Sequence, residues 1–204
     1  MKPLTWLFAF SLLSPAGKVV NFDSCVIGQA PPGWTVEGPG KARGWQVRKD
    51  QTAPTPPYVL AEVSADPTDS RSILNEVTTR DADVSVRIKP ISGREGLQGG
   101  VVWRYHDEKN FYAARANATE NTVSVFKVEN GRRIPLFTDV KHPIPANTWS
   151  ILKVSVRGSR FQVFIDHRRV LEGRDTTFSA PGRVGLWALG DSTIYFDDFR
   201  VYPK

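Results

Sequence analysis

Arginines and aromatic residues are concentrated in residues 99–117, which read GGVVWRYHDEKNFYAARAN. Two runs, WRY and FYAARAN, flank the charged sequence HDEKN. A guanidinium group donates several hydrogen bonds to carboxylates and other acceptors, and an aromatic face packs against the apolar face of a ligand. The stretch is therefore either part of a binding face or an ordinary β-hairpin whose inner side is aromatic.

The alternation of side chains along a strand predicts two faces for this hairpin, if Asp107–Asn110 forms a four-residue loop. One face carries rings opposite small alanines and has the character of core: Trp103, Tyr105, Tyr112, Ala114 and Ala116. The other face is more polar and carries Val102, Arg104, Ala113, Arg115 and Asn117. In this register Trp103 faces Ala114, and Val102 faces Arg115.

Arg104 and Arg115 would be neighbours on the polar face. Two guanidinium groups so close together need a carboxylate, solvent or a ligand as a partner. We therefore predict that Arg104, Arg115 and Asn117 are ligand-binding residues. The prediction depends on the loop length, because a change of one residue would place the two arginines on opposite faces of the sheet.

Trp187, in the run GRVGLWAL, is a fourth ligand-binding candidate. If Leu186 faces the core, Trp187 faces outward, where an exposed indole suits the apolar face of a sugar ring. The alternative, which we favour, is that Trp187 fills a second core layer or is covered by a loop.

The elements that must position these residues are short alternating runs separated by turn residues. The clear runs are rich in Val, Ile, Phe, Tyr and Trp and cover residues 83–89, 101–105, 111–116, 122–128, 151–156, 161–165, 183–189 and 193–202. Weaker runs cover residues 19–22, 45–48, 58–63 and 73–77. No long stretch has a convincing helical period, and Asn-Gly at 130–131 marks a tight hairpin turn. Together these features predict an all-β fold, a two-sheet antiparallel jelly-roll sandwich.

The 204 residues suit one domain, preceded by a leader in residues 1–16. The leader has the order of a signal peptide: a lysine, the apolar run WLFAFSLL, and small residues at Ser14 and Ala16. The run is too short for a bilayer-spanning helix, which needs about 20 residues. We expect cleavage after Ala16, a single β-sandwich domain over 17–204, and a secreted or periplasmic protein without stable membrane insertion. The alternative is that residues 1–16 form a buried strand or short helix.

The formal net charge of +6 is spread along the chain without a basic run, and no nucleic-acid-binding motif is present. We therefore predict no nucleic-acid partner. Such a charge is compatible with an anionic polymer or a membrane surface as partner, although it is usually only a solvated exterior. Cys25 is the single cysteine, so no internal disulfide can form, and we interpret it as a small buried hydrophobe.

Three runs resemble the concanavalin A-like lectin/glucanase jelly roll: DADVSVRIKPISG with GGVVWRYHDEKNFYAARANATENTVSVFKVENGRR, PANTWSILKVSVRGSRFQVFIDHRRVLEG, and TFSAPGRVGLWALGDSTIYFDDFRVY. Within this superfamily the chain is most similar to bacterial exported domains grouped with 3-keto-disaccharide hydrolases and called family-16-glycosidase-like. The resemblance covers about residues 82–202 and is weaker over 19–81. It implies a curved two-sheet sandwich whose concave face often meets carbohydrate.

The spacing of acidic and histidine residues matches no catalytic motif. Glycosidases need two carboxylates roughly 5–10 Å apart, and the glucanases that the chain resembles supply theirs as Glu-x-Asp-x-Glu, which this sequence lacks. The Gln-x-His motif of alginate-lyase-like members is also absent. His106, His142 and His167 fall in predicted turns or loops, where a histidine is usually solvated. No catalytic residue is therefore assigned, and enzymatic activity stays open.

Asp23, Asp197 and Asp198 raise the question of a metal. Some sandwiches of this kind hold a structural calcium with acidic groups near the termini, and calcium needs several oxygen ligands. The interpretation that we favour is that these aspartates accept backbone hydrogen bonds at a strand bulge. We therefore predict no cofactor and no metal ligand, with a structural calcium as the alternative.

Three functions are compatible with these observations. The first is an exported module that binds a glycan, or a small sugar, on its concave sheet without transforming it. The second is a hydrolase or lyase that acts on a 3-keto disaccharide or a glycoside through dispersed catalytic groups. The third is a structural or adhesive domain of a surface assembly. We favour the binding module because of the fold resemblance, the arginine and aromatic content, and the missing acid pair.

Overall fold

The computed structural model describes residues 17–38, 44–64, 68–94 and 96–204. These residues form fifteen strands and no helix, which confirms the prediction of an all-β fold. The strands are β1 (Lys18–Val20), β2 (Trp34–Glu37), β3 (Trp45–Lys49), β4 (Tyr58–Glu62), β5 (Asp69–Thr79), β6 (Ala82–Gly93), β7 (Gln98–Asp107), β8 (Asn110–Asn117), β9 (Thr122–Glu129), β10 (Arg132–Lys141), β11 (Ser150–Arg157), β12 (Arg160–Ile165), β13 (Arg168–Arg174), β14 (Gly182–Leu189) and β15 (Ser192–Pro203). In the part of the chain that the structure describes, no helix is long and apolar enough to cross a membrane.

The strands form two antiparallel sheets that pack face to face. The eight-stranded sheet has the order β13-β12-β11-β6-β15-β4-β3, and β1 pairs with the second half of β15. The seven-stranded sheet has the order β10-β9-β8-β7-β14-β5-β2. This arrangement confirms the predicted jelly-roll sandwich. The predicted signal peptide, residues 1–16, lies outside the described residues, so its cleavage and the domain boundary at residue 17 stay predictions.

The main core lies between the two sheets and is built from side chains that alternate inward. Along β6, Val84, Val86 and Ile88 are buried while the residues between them are partly exposed, because successive side chains of a strand point to opposite faces. Trp45 stacks on Phe196 with ring centroids 5.4 Å apart. Burial of a large apolar side chain contributes about 1.5–3 kcal/mol, so this core holds the two sheets together.

A second apolar cluster covers the outer face of the seven-stranded sheet. Its buried members are Ile73, Val102, Tyr105, Phe111, Ala113, Phe126, Val128 and Trp187. The central strands of this sheet are therefore apolar on both faces, and long polar side chains cover the cluster on its solvent side.

The β7–β8 hairpin does not have the predicted register. Asp107 pairs with Asn110, so the turn has two residues rather than four, and Trp103 pairs with Tyr112 instead of Ala114. A β-bulge between Trp103 and Asp107 places three residues of β7 opposite one residue of β8. Trp103 and Tyr112 still face the main core, as predicted.

Arg104 lies in this bulge with a φ of 47°, a left-handed conformation that is uncommon for a residue other than glycine. The bulge changes the alternation, so Arg104 is buried at the end of the sandwich and Tyr105 joins the outer cluster. The prediction that Arg104 and Arg115 share one face is therefore wrong, and so is the assignment of Tyr105 to the core side. The hydrophobic pattern contains no signal for the extra residues.

Two hairpin turns are built from pairs of left-handed residues. Asn130 and Gly131, between β9 and β10, have φ values of 51° and 79°, as the Asn-Gly signal predicts. Asp166 and His167, between β12 and β13, have φ values of 47° and 69°, although neither is glycine. The N–H of Ile151 donates to Asp166 Oδ1 (2.7 Å), and the N–H of Asp166 donates to the carbonyl of Ile151 (3.0 Å). The second turn is therefore held in place by β11.

Candidate functional site

Arg104 is buried, with 3% of its surface exposed, and donates hydrogen bonds to three loops. Nε donates to the carbonyl of Arg80 (3.1 Å) and Nη1 to the carbonyl of Phe178 (2.6 Å). Nη2 donates to Asp81 Oδ1 (3.2 Å) and to the carbonyl of Gly158. Arg104 therefore joins the β5–β6 turn, the β11–β12 turn and the loop before β14, and it is not part of a ligand-binding face.

Arg115 lies on the outer face of the seven-stranded sheet, as predicted. Its Nε donates to Ser124 Oγ (2.9 Å) and its Nη1 to Gln98 Oε1 (2.9 Å), while Nη2 lies 3.4 Å from Asp139 Oδ1. These partners belong to three other strands of the same sheet, β9, β7 and β10. The guanidinium group is therefore held in one orientation with one edge open to solvent.

Asn117 follows Arg115 on the same side of β8, but its side chain belongs to the β8–β9 turn. Only 2% of its surface is exposed. Its Oδ1 accepts the N–H groups of Thr119 (3.0 Å) and Glu120 (3.3 Å), and its Nδ2 donates to Glu120 Oε2 (3.0 Å). Asn117 therefore shapes the turn, as Asn side chains commonly do, and its polar atoms are already engaged.

Trp187 points to the outer face but is completely buried, with 0% of its surface exposed. The ring of Phe126 lies against it at 5.6 Å with the ring planes 72° apart. The guanidinium carbon of Arg133 lies 5.3 Å from the centre of the indole. The interpretation of Trp187 as part of a second core layer is confirmed, and the indole supports the side chains above it.

A row of paired residues crosses the seven-stranded sheet from β2 to β9. Its outer-face members are, in order, Glu37, Arg71, Trp187, Gly100, Arg115 and Ser124. Directly opposed side chains on one face of a sheet are close enough to interact. The row therefore places the predicted Arg115 and Trp187 in one band with Arg71 and Glu37, which the sequence analysis did not identify.

Three further arginines lie over the aromatic rings of the outer cluster. The distances from guanidinium carbon to ring centre are 3.7 Å for Arg133 over Phe126, 5.0 Å for Arg71 over Phe111 and 5.2 Å for Arg183 over Tyr105. Cation–π contacts of this kind contribute about 0.5–2 kcal/mol each. These contacts hold the three guanidinium groups against the apolar outer cluster. The surface formed by Arg71, Arg115, Arg133 and Arg183 is named here the arginine face.

Carboxylates lie beside these arginines and orient them. Arg133 Nη1 lies 3.2 Å from Asp69 Oδ2, and Arg183 Nη2 lies 3.8 Å from Glu37 Oε1. The hydroxyl of Tyr105 donates to Glu37 Oε2. Burial raises the pKa of Glu37, and the charge of Arg183 opposes the rise. The arginine face therefore offers donors and acceptors next to each other, which is what a polyhydroxylated ligand requires.

Arg71 is the least compensated charge on the arginine face, with 6% of its surface exposed. Within the described residues, neither Arg71 Nε nor Trp187 Nε1, on the directly opposed residue of β14, has a hydrogen-bond partner. Burial lowers the pKa of Arg71, and the charges of Asp69 and Glu37 oppose this. An unsatisfied buried donor costs about 1–3 kcal/mol, so an acceptor that reaches this point gains free energy.

A depression of about 260 Å³ lies between Arg115 and Arg133 on the β9–β10 side of the arginine face. Ser124, Phe126 and Asp139 also line it. Its volume is just below the roughly 300–1,000 Å³ of small-ligand sites. The depression combines two guanidinium groups and a carboxylate with the exposed Pro135, while Arg133 covers the Phe126 ring. It can therefore bind one sugar-sized unit through both its hydroxyls and its apolar face.

Two of the three aspartates considered for calcium, Asp23 and Asp197, accept backbone hydrogen bonds. Asp197 accepts the N–H groups of Thr55 (2.9 Å) and Asp198 (2.7 Å) beside a bulge in β15, and Asp23 accepts that of Tyr58 (3.3 Å). The interpretation that we favoured therefore holds for Asp197, whereas Asp198 accepts the hydroxyl of Thr55 (3.0 Å) and pairs with Arg200 (3.3 Å). Burial raises the pKa of Asp197 to about 6. Among the described residues, no group of three or more His, Cys, Asp or Glu is arranged to hold a metal ion. A structural calcium stays an untested alternative.

The residues of the arginine face differ in how visible they are in the sequence. Arg183 lies four residues before Trp187 in a predicted strand, so alternation alone puts both on one face. Arg71 precedes the predicted run 73–77, because β5 begins earlier, in the polar sequence DSRS. Arg133 comes two residues after the Asn-Gly turn, and its reach over Phe126 depends on side-chain length rather than on strand pattern.

No family model matches the chain. The levanase of Bacillus subtilis is 34% identical over 121 residues, which are 59% of this chain and 17% of the levanase. The match therefore spans only a small part of that relative. The predicted finer resemblance to 3-keto-disaccharide hydrolase-like domains is not confirmed by these comparisons.

Solved structures of carbohydrate-active proteins share the fold. The carbohydrate-binding module CBM66 from Bacillus subtilis has a TM-score of 0.65 and 27% identity, covering 82% of this chain and 94% of that module. The GH16 protein of a Bacteroides ovatus mixed linkage glucan PUL has a TM-score of 0.66 and 13% identity, covering 90% of this chain and 99% of that protein. At the lower identity the likeness concerns the fold alone. With its two antiparallel jelly-roll sheets, the chain is a concanavalin A-like β-sandwich domain.

Proposed function

We propose that the chain is a carbohydrate-binding domain that holds a glycan on the arginine face. The observation that carries the proposal is the depression between Arg115 and Arg133, where two oriented guanidinium groups and the carboxylate of Asp139 lie beside the exposed Pro135. The likeness to CBM66 over 94% of that module supports it, and so does the 121-residue match to a levanase.

The chemistry of binding follows from the ion pairs on this face. Arg133, held by Asp69, and Arg115, held by Asp139, donate to sugar hydroxyls, and Asp139, which lines the depression, accepts from them. Hydrogen bonds to charged groups contribute about 1.5–3 kcal/mol each. Pro135, an exposed residue of β10 that lines the depression, supplies apolar surface for the C–H face of the sugar. Because the partners are already oriented, little conformational entropy is lost when the sugar binds.

Isothermal titration calorimetry with neutral polysaccharides tests the proposal. The panel contains levan, because a relative is a levanase, together with a mixed-linkage β-glucan and dextran. Arg133→Ala and Arg115→Gln are expected to weaken binding by about tenfold or more, the equivalent of one charged hydrogen bond. Arg132→Ala is the matched control, since it removes the neighbouring exposed arginine of β10, which does not line the depression.

Binding that is unchanged in Arg133→Ala and Arg115→Gln would contradict the site. The absence of heat with every glycan in the panel would contradict the binding function and favour a structural or adhesive domain. Release of sugar from the polysaccharides, or consumption of a 3-keto glycoside, would favour the hydrolase or lyase alternative.

Export is the second part of the proposal. It is supported by the order of charged, apolar and small residues in 1–16. The intact mass of the protein recovered from its native host measures it directly. A mass that corresponds to a chain beginning at residue 17, in the periplasmic or secreted fraction, is expected, and a full-length chain in the cytoplasm would refute export.

A further inference from the structure

The outer face of the eight-stranded sheet has a surplus of positive charge. Outward-facing positions on its strands β6, β11 and β12 hold one carboxylate, Asp83, and five cations: Arg87, Lys89, Lys153, Arg157 and Arg160. Lys89 pairs with Asp50 (2.9 Å) and Arg160 with Glu172 (2.8 Å), so the surplus lies at Arg87, Lys153 and Arg157. The alternating inward residues belong to the main core, so the charged side chains between them point to solvent. This face, named here the basic face, is on the opposite side of the sandwich from the arginine face.

Asp83 cannot neutralise its surroundings, because several cations share it. Its carboxylate oxygens lie 3.2 Å from Lys153 Nζ, 3.0 Å from Arg157 Nη2 and 4.0 Å from Lys204 Nζ. Although burial acts in the other direction, a hydrogen bond from Ser155 and the charge of Lys153 lower the pKa of Asp83. One negative charge therefore faces three positive ones, and the remaining field attracts anions.

A depression of about 380 Å³ lies in the middle of the basic face. Arg87, Lys153 and Arg200 line it from the adjacent strands β6, β11 and β15. Asp198 also lines the depression and offsets the charge of Arg200, with which it pairs at 3.3 Å, whereas Arg87 forms neither an ion pair nor a side-chain hydrogen bond with any described residue. The depression therefore contains a half-buried guanidinium group whose donors are available to an incoming acceptor.

Apolar surface lies in register with these cations. Lys153 pairs with Phe164 across β11 and β12, and its Nζ lies 5.5 Å from the ring centre. Ile151 pairs with Arg87 and also lines the depression. A ring and an aliphatic side chain beside three cations match a ligand with an apolar face and an acid group. A sugar acid has both, whereas a phosphate chain has only the charge.

The β12–β13 turn places His167 at the edge of the same depression. The turn holds Asp166 and His167 in left-handed conformations that usually require Asn or Gly. Hydrogen bonds between Asp166 and Ile151 attach the turn to the depression. The exposed imidazole of His167 thus adds one more donor for an acidic group at this edge.

We propose that the basic face binds a uronate-bearing polysaccharide. Arg87, Lys153 and Arg200 receive the carboxylates of successive or neighbouring units, and Phe164 and Ile151 pack against the sugar rings. The proposal concerns a second site and does not rest on neutral-glycan binding at the arginine face. A domain with both sites attaches to a mixed polymer through one surface for neutral sugars and one for acidic sugars.

The test is affinity electrophoresis and calorimetry of the full chain with polygalacturonate, dextran and inorganic polyphosphate as probes. Polygalacturonate is expected to bind, and binding is expected to disappear at about 1 M salt, where the Debye length is about 3 Å. Arg87→Gln and Lys153→Gln are expected to weaken it by about tenfold or more. Arg132→Gln, which removes an exposed cation from the other sheet, is the matched control. Melting temperatures identify any variant that loses binding by unfolding.

Three results would overturn the proposal. The first is no binding of polygalacturonate at low salt. The second is binding that is intact in both Arg87→Gln and Lys153→Gln, or lost only in Arg133→Ala, which would assign the anion to the arginine face. The third is polyphosphate binding as tight as that of polygalacturonate, which would show that charge alone, without the sugar ring, determines the interaction.

Discussion

The rings of Trp103 and Tyr112 stack across β7 and β8 with centroids 5.3 Å apart and ring planes 16° apart. Both rings face the main core, and Phe161 from the opposite sheet lies 5.8 Å from Trp103. The pair therefore belongs to both the hairpin and the contact between sheets. Its packing explains why the hairpin of residues 99–117 is rich in aromatic residues on its inner side.

Truncation of this pair tests its part in stability. Trp103→Ala is expected to lower the free energy of unfolding by about 3–5 kcal/mol, because it removes a large buried ring and leaves a cavity. Urea denaturation measures the change. Trp149→Ala, at a half-buried ring in the loop before β11, is the control and should cost clearly less. Equal losses in the two variants would contradict the importance of the stacked pair.

Substitution of the two arginines of the hairpin, Arg104 and Arg115, should lower the free energy of unfolding by very different amounts. Arg104→Ala is expected to cost about 3–5 kcal/mol, because it leaves several buried acceptors in three loops without a donor. Arg115→Ala should cost about 1 kcal/mol or less, since its ion pair with Asp139 is exposed to solvent. Thermal and urea unfolding measure both. A harmless Arg104→Ala would show that the buried hydrogen bonds do not hold the loops.

Asp197 should give the protein a specific pH dependence. Burial raises the pKa of its carboxyl group to about 6, above the ordinary value of 3.8 that applies to the unfolded chain. The folded state therefore binds an extra proton between about pH 4 and pH 6, and this contribution to stability falls as the pH rises through that range. The shift corresponds to on the order of 3 kcal/mol.

Asp197→Asn removes the titrating group and so isolates its effect. The stability of the wild type minus that of the variant is expected to decrease from pH 4 to pH 6.5 and then to stay constant. Urea unfolding at a series of pH values measures the difference. A difference that is flat across this range, or that increases with pH, would contradict the raised pKa.

Tyr112 should titrate far above an ordinary tyrosine. Burial, and the hydrogen bond that its hydroxyl donates to Asp175 Oδ1 (2.6 Å), raise its pKa to about 12. Absorbance of the phenolate measures the titration. Tyr112→Phe should remove the highest component, and Tyr202→Phe, at a 40% exposed ring, should leave it in place. Loss of the titration near pH 12 in Tyr202→Phe would show that it belongs to Tyr202 and not to Tyr112.

The fold was predictable because buried and exposed residues alternate regularly along the strands of the eight-stranded sheet. β6, β11 and β12 have polar outer faces, so their inward residues repeat with a period of two, and the Asn-Gly turn sets one hairpin directly. The start of β5 was missed because its first four residues, DSRS, have no apolar alternation although three of them are buried.

The candidate site was only partly predictable. Arg115 and Trp187 are on the outer face because simple alternation holds in β8 and β14. Arg104 is not, because a bulge adds residues to β7 and the loop is two residues shorter than expected. The contact of Arg133 with Phe126 depends on a long side chain that reaches over the neighbouring strand, and strand pattern contains no information on such reach.

β15 lies in the middle of the eight-stranded sheet, between β6 and β4, although it is the last strand in chain order. During synthesis, residues 82–93 and 58–62 leave the ribosome long before residues 192–203, so both strands lack their central partner until then. Unpaired strands with exposed edges pair readily with other chains, and contacts between distant residues form slowly. β6 and β4 therefore have unpaired edges until residues 192–203 have been made, so this sheet closes late and its edges can pair with other chains until then.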